Sequence, residues 1–131
     1  MIVLDTQAWL WWLHNPAHLS RRALSAIQQA ERGDGIRVSV ISVWEIAVKT
    51  QAGKLDLPLE IHEWYRRACS YPNLLVEPLS PVDAIASTQL PGRFHKDPAD
   101  RMIIALARRH GVPLVTADAR IRDYPHVEVI W

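Results

Sequence analysis

At 131 residues, with a hydrophobic fraction of 49% and a formal net charge of +1, the chain has the length of one domain (1–131) with a sizeable core. That composition excludes a disordered polymer, and the near-neutral charge excludes a uniformly basic coat for nucleic acid. The single Cys69 excludes an internal disulfide, no Cys/His set has zinc spacing, and no signal peptide or apolar run of ~20 residues is present, so a cytoplasmic protein without membrane association is expected.

Taken in order, Met1–Leu4 reads as an apolar strand running into Asp5-Thr6. Residues 7–13, QAWLWWL, form an apolar helix that Asn15-Pro16 breaks. Ser20 caps a second helix, with Leu19 and Leu24 spaced as a hydrophobic staple, and Gly33-Asp34-Gly35 ends it. Residues 36–41 read as a mostly buried strand. Ser42-Val43-Trp44-Glu45 fits a capping box that opens a helix to about Gly53, and Pro58 opens another carrying Trp64 and Tyr65. Leu74–Val76 is a third strand, and Ser80-Pro81 starts a helix that Pro91-Gly92 closes.

The stretch 95–118, HKDPADRMIIALARRHGVPLVTAD, carries the densest signal. Asp97 reads as an N-cap with Pro98 at the first helical position. Met102 to Ala107 is apolar almost all round, as a buried helix requires, and Gly111 with Pro113 stops it. Leu114–Thr116 is a fourth strand, residues 120–123 make at most one turn, and Val127–Ile130 is the last strand. Five short apolar strands separated by helices indicate a three-layer α/β/α domain with a five-stranded, mainly parallel sheet. In such sheets ligands gather at the carboxyl ends of the strands.

Asp5 follows the first strand, Glu45 the second and Asp118 the fourth, while Asp100 sits in the first turn of a helix that runs back along the sheet. All four acids can therefore meet at one edge. Crowded carboxylates raise one another's pKa, so the set calls for a cation, and all-oxygen ligands favour Mg²⁺ or Mn²⁺ over zinc. Each acid also has a plainer reading: Glu45 as part of the capping box, Asp100 as the complement of a helix dipole, and Asp97 and Asp118 as caps. Asp5 is hardest to dismiss, because no helical donor is certain to receive it. Around these acids, Thr6 and Thr116 could position water or merely bond to backbone. Lys49, Lys54, Arg93, His95, Lys96 and Arg101 could hold phosphates or simply solvate loops. Trp9, Trp11 and Trp12 could stack bases, though core packing or a covered patch accounts for them as well. Together with Trp64-Tyr65 they carry more apolar surface than so small a domain is expected to bury, which points to a homodimer and a helix-covering peptide partner.

IVLDTQAWLWWL at 2–13, SVWEIAVK at 42–49, HKDPADRMIIALA at 95–107 and PLVTAD at 113–118 together resemble the PIN-domain ribonucleases, and within them the VapC-type toxins of bacterial and archaeal toxin–antitoxin pairs. The resemblance covers nearly the whole chain. It implies a parallel five-stranded sheet between helices, an acidic site for Mg²⁺ or Mn²⁺ formed by Asp5, Glu45, Asp100 and Asp118, and hydrolysis of RNA. Asp5, Asp100 and Asp118 would be the metal-binding acids, with Thr116 at a position where the family usually has Ser or Thr. It further implies dimerisation and inhibition by an antitoxin whose C-terminal segment crosses the active-site groove. Two positions depart from the pattern, Gln7 where similar sequences often have His and Leu106 where they often have a polar residue. From the residues alone two alternatives stay open: a phosphatase or phospho-acceptor using Asp5, and a non-catalytic metal-binding interaction module.

Overall fold

The first strand, β1 (Ile2–Leu4), has no polar side chain on either face, and it occupies the centre of the sheet with all three residues buried. The structure is a computed structural model covering residues 1–131. After β1 come α1 (Thr6–His14), a 3₁₀ turn (Pro16–His18), α2 (Arg21–Arg32), β2 (Ile36–Ser39), α3 (Val40–Gln51) and α4 (Ile61–Ala68). β3 (Leu74–Glu77), α5 (Pro81–Thr88), α6 (Pro98–His110), β4 (Leu114–Val115), α7 (Ala119–Arg122) and β5 (Val129–Ile130) complete the chain. The sheet order is β3-β2-β1-β4-β5 and every pairing is parallel, with Leu4 opposite both Val38 and Val115. Each parallel neighbour requires a crossover, and the helices supply them on both faces. No helix is long and apolar enough to cross a membrane.

Alternation along β1 divides the core. Ile2 and Leu4 face one cluster with Trp9, Ile27, Ile36, Val38 and Trp64, whereas Val3 faces the other with Ile103, Ile104, Leu114 and Ile121. The apolar surface expected to need a partner is divided: Trp11, Trp12 and Leu13 are half-buried and Tyr65 is exposed. Trp9 and Trp64 are buried and meet edge to face at 5.3 Å, and Trp64 Nε1 donates to His14 Nε2 at 2.8 Å. Large apolar side chains are exposed elsewhere, at Val40, Trp44 and Val48 on one stripe of α3 and at Val82 and Ile85 on α5.

Several boundaries differ from those read in the sequence. β2 stops at Ser39, whose hydroxyl accepts from Ile41 N at 3.1 Å and caps α3, so the capping box at Ser42 does not form. Ser42 becomes a buried residue inside the helix, and Glu45 is free of any cap. α4 begins at Ile61 with Glu60 as its cap, and Pro58 stands in the bend before it. β5 covers only Val129 and Ile130. α6 follows the expected plan: Asp97 Oδ1 accepts from Asp100 N at 3.1 Å, Ile103–Ala107 are all buried, and Gly111 ends the helix at φ 63°. That left-handed cap suits glycine because no Cβ has to be accommodated.

α5 packs along α6, and the contact is tied by ions rather than by apolar surface alone. Arg109 donates to both oxygens of Asp83, at 2.7 and 3.0 Å, and to Glu77 at 2.8 Å, while Glu77 also meets Arg37 at 3.4 Å. Asp83 is only 2% exposed, so its charge depends on that guanidinium. Arg109→Ala should therefore cost ~2–4 kcal/mol in urea unfolding, because an unpaired carboxylate stays buried. A loss below ~0.5 kcal/mol would show that Asp83 is hydrated instead.

Candidate active site

Two of the acids are placed by the ends of β-strands and the helices that follow them. Asp5 continues the ladder beyond β1, its N–H bonding to Val115 O at 3.2 Å, and its Oδ1 accepts from Ala8 N at 2.7 Å. It is thus the N-cap of α1, accepting from a helical N–H that the sequence did not make certain. Asp118, past β4, caps α7 through Arg120 N at 2.8 Å. The fully buried Thr116 fixes that turn, its hydroxyl accepting from Asp118 N at 3.1 Å. Asp100 comes from the other direction, on the first turn of α6.

Glu45 is held by a buried pair of hydroxyls. Thr6 Oγ1 lies 2.5 Å from Glu45 Oε1 and 2.8 Å from Ser42 Oγ. A hydroxyl has one proton, so donation to the carboxylate leaves Thr6 to accept from Ser42. The misplaced capping box thereby explains why a small polar residue is buried at position 42.

These elements surround a cleft of about 380 Å³ lined by Asp5, Glu45, Asp97, Asp100 and Asp118, with Lys49 and Arg120 as its cations. The acids perturb one another. Burial pushes the Asp5 carboxyl up to about 6, against the opposing pull of the Thr116 hydroxyl and the Ala8 N–H. Asp100 is pushed to about 7, mainly by burial and then by the charges of Asp97, Asp118 and Glu45. Asp118 moves the other way, held below the usual carboxylate range by its hydrogen bond from Arg120 at 3.0 Å. Arg120 also stands 3.7 Å from Asp100. His95 Nε2 lies 3.2 Å from the same carboxylate, although the ring is not aligned for a hydrogen bond, and burial keeps its pKa low.

The remaining cations are distributed unevenly. Lys49 lines the cleft, and Lys54 lines a trough beside it. Arg93 and Lys96 are exposed on the loop before α6, outside the cleft lining. Arg101 spends its guanidinium on the carbonyls of Ser87, Phe94 and His95, at 2.8, 3.1 and 3.2 Å, and so pins that loop. Arg120 was not singled out in the sequence; the only signal was a basic residue two positions after Asp118.

The donor set suits a hard divalent cation, being all carboxylate and carrying two acids with raised pKa values. No three His, Cys, Asp or Glu side chains are drawn into a tight ligand group, and the Arg120 guanidinium stands between Asp100 and Asp118. Asp5, Asp100 and Asp118 are the residues that would hold an ion, with Glu45 beside them.

Comparison with known proteins agrees with this architecture. A family model described as PIN domain matches residues 2–127. The chain is 33% identical over 125 residues to Ribonuclease VapC22 of Mycobacterium tuberculosis, covering 95% of this chain and 92% of that protein. Among solved structures, VapBC2 from Rickettsia felis bound to a promoter DNA fragment aligns over 98% of this chain and 97% of that chain, with TM-score 0.70 and 15% identity. DNA-bound VapBC from Salmonella typhimurium aligns over 98% and 95%, with TM-score 0.69 and 18% identity. At such identities the structures establish the fold.

The raised acids make metal-free stability depend on pH. Asp5 and Asp100 bind protons more tightly folded than unfolded, so their contribution is full below about pH 4 and is lost as pH rises through about 6 and 7. His95, with its lowered pKa, acts in the opposite sense in the same window. Asp100→Asn should therefore melt higher than wild type in EDTA at pH 8, by ~1–3 kcal/mol, with the gap closing toward pH 5. A variant that melts lower at both pH values would reduce Asp100 to a structural residue.

Proposed function

The chain belongs to the PIN domain family, and from that premise we infer that it is an endoribonuclease of the VapC type, the toxin half of a toxin–antitoxin pair acting in the cytoplasm. The observation that carries the chemistry is the convergence of Asp5, Glu45, Asp100 and Asp118 on one cleft, with no serine or cysteine nucleophile lining it. Bound Mg²⁺ or Mn²⁺ would polarise the phosphoryl oxygen and lower the pKa of the attacking water. Asp5, Asp100 and Asp118 would hold that ion, each fixed by its strand end or helix. Glu45, with Oε1 taken by the Thr6 hydroxyl, keeps Oε2 to accept a proton from the attacking water. Thr116 holds Asp118 in its turn, and Lys49 gives the cleft a cation for a substrate phosphate. Direct water attack leaves a 5′-phosphate and a 3′-hydroxyl. A phosphatase using Asp5 as nucleophile is disfavoured, because this carboxylate is 7% exposed and already caps α1.

The partners follow from surfaces. The apolar stripe Val40, Trp44, Val48 on α3, with Val82 and Ile85 on α5, supports a homodimer. The solved relatives are toxin–antitoxin complexes, and an antitoxin segment would find apolar footing between α1 and α4, where Leu13, Leu59, Trp64 and Tyr71 line a pocket.

Purified protein freed of antitoxin should cut single-stranded RNA with Mn²⁺ or Mg²⁺, leaving 5′-phosphate ends, and EDTA should abolish the cutting. Glu45→Gln should lower kcat about 10²-fold or more with little change in melting temperature. A 2′,3′-cyclic phosphate product, or full activity in EDTA, would contradict the mechanism. Trp44→Asp should convert a dimer to monomer in light scattering, and an unchanged dimer would move the interface off α3.

A further inference from the structure

The acidic cleft does not end at its carboxylates. Beside it runs a trough of about 360 Å³ that shares Gln7, Trp11 and Lys49 with the cleft wall and continues past Asn15 and Lys54. The two cavities differ in charge. Five acids face two cations in the cleft, whereas Lys49 and Lys54 face the single acid Asp56 in the trough. A strand crossing both would place one phosphate at the acids and the next beside lysines.

Trp11 forms the wall between them. Its ring is braced by Trp131, tilted with centroids 5.8 Å apart, and by the edge of His18 at 5.5 Å. It is half-buried, unlike Trp9 in the core, and its remaining surface faces both cavities. A pre-ordered indole next to a lysine is the kind of arrangement on which single-stranded nucleic acid stacks. Gln7 and Asn15 are exposed beside it, with amides that can donate to and accept from a base edge.

We propose that the Trp11 trough is a nucleotide subsite of the enzyme, in which the base next to the scissile phosphate stacks on Trp11 while Lys49 and Lys54 hold the flanking phosphate. The inference rests on the ribonuclease reading above and deepens it: the substrate is single-stranded at that position, because a paired base could not reach the indole.

The test uses the full chain and a mixed-sequence, single-stranded oligoribonucleotide carrying a fluorophore and a quencher. Trp11→Ala should raise KM about tenfold with a smaller fall in kcat, and Trp11→Phe should recover most of the loss. Lys54→Ala, at an exposed position that cannot disturb the core, should weaken binding and flatten its salt dependence by about one counterion. Folded Trp11→Ala with wild-type KM would overturn the subsite. Should Trp11→Ala fail to fold, Lys54→Ala with unchanged KM and salt slope would overturn it instead. Loss of affinity for the antitoxin with RNA KM unchanged would make the trough a protein-docking surface and also overturn it. Wild-type protein that cuts no RNA at all would remove the ribonuclease reading itself, an outcome distinct from cutting that is indifferent to Trp11.

Discussion

Five carboxylates cannot all remain ionised around one small cleft unless a cation stands among them. The metal-free protein meets that constraint in two ways at once. Asp5 and Asp100, the more buried acids, bind their protons tightly, with pKa values near 6 and 7. Asp118, the most open to Arg120, keeps its charge because the guanidinium neutralises it. Part of the local architecture answers to this constraint, including the buried Thr6–Ser42 hydroxyl pair under Glu45. A scaffold selected for stability alone would have little reason to gather these charges.

The sheet supplies the convergence. Parallel strands deliver Asp5 and Asp118 to one edge, and α6 runs back so that Asp100 on its first turn arrives at the same place. Capping does the fine positioning. Asp5, Asp97 and Asp118 each receive a helical N–H on Oδ1, which leaves Oδ2 for other partners. The structural and functional readings of these acids are therefore compatible: one oxygen of each orders a helix while the residue lines the cleft.

Most of this layout was legible in the sequence. The strand residues, the central helix with its Asp97 cap and Gly111 stop, and the sheet edge where the acids meet all follow from periodicity and topology. Boundaries were harder where two signals of one kind lay close together. Ser39 and Ser42 both precede apolar runs, and only the tertiary context selects Ser39 as cap and buries Ser42 against Thr6. Which aromatics are buried was not legible for a related reason: Trp9 and Trp64 lie 55 positions apart in the chain yet fill one another's space, while Trp11, Trp12 and Tyr65 keep open surface. Arg120 could not be placed from spacing, since its contact with Asp100 depends on how α6 and α7 meet.

On the proposed ribonuclease reading, Asp5 and Asp100 hold protons that an incoming cation would have to displace. Calorimetric titration with Mn²⁺ at pH 6, repeated in buffers of different ionisation enthalpy, counts those protons directly. Release of on the order of one proton per ion is expected at pH 6, shrinking toward zero by pH 8.5. Mn²⁺ binding with no proton release at pH 6 would contradict that reading.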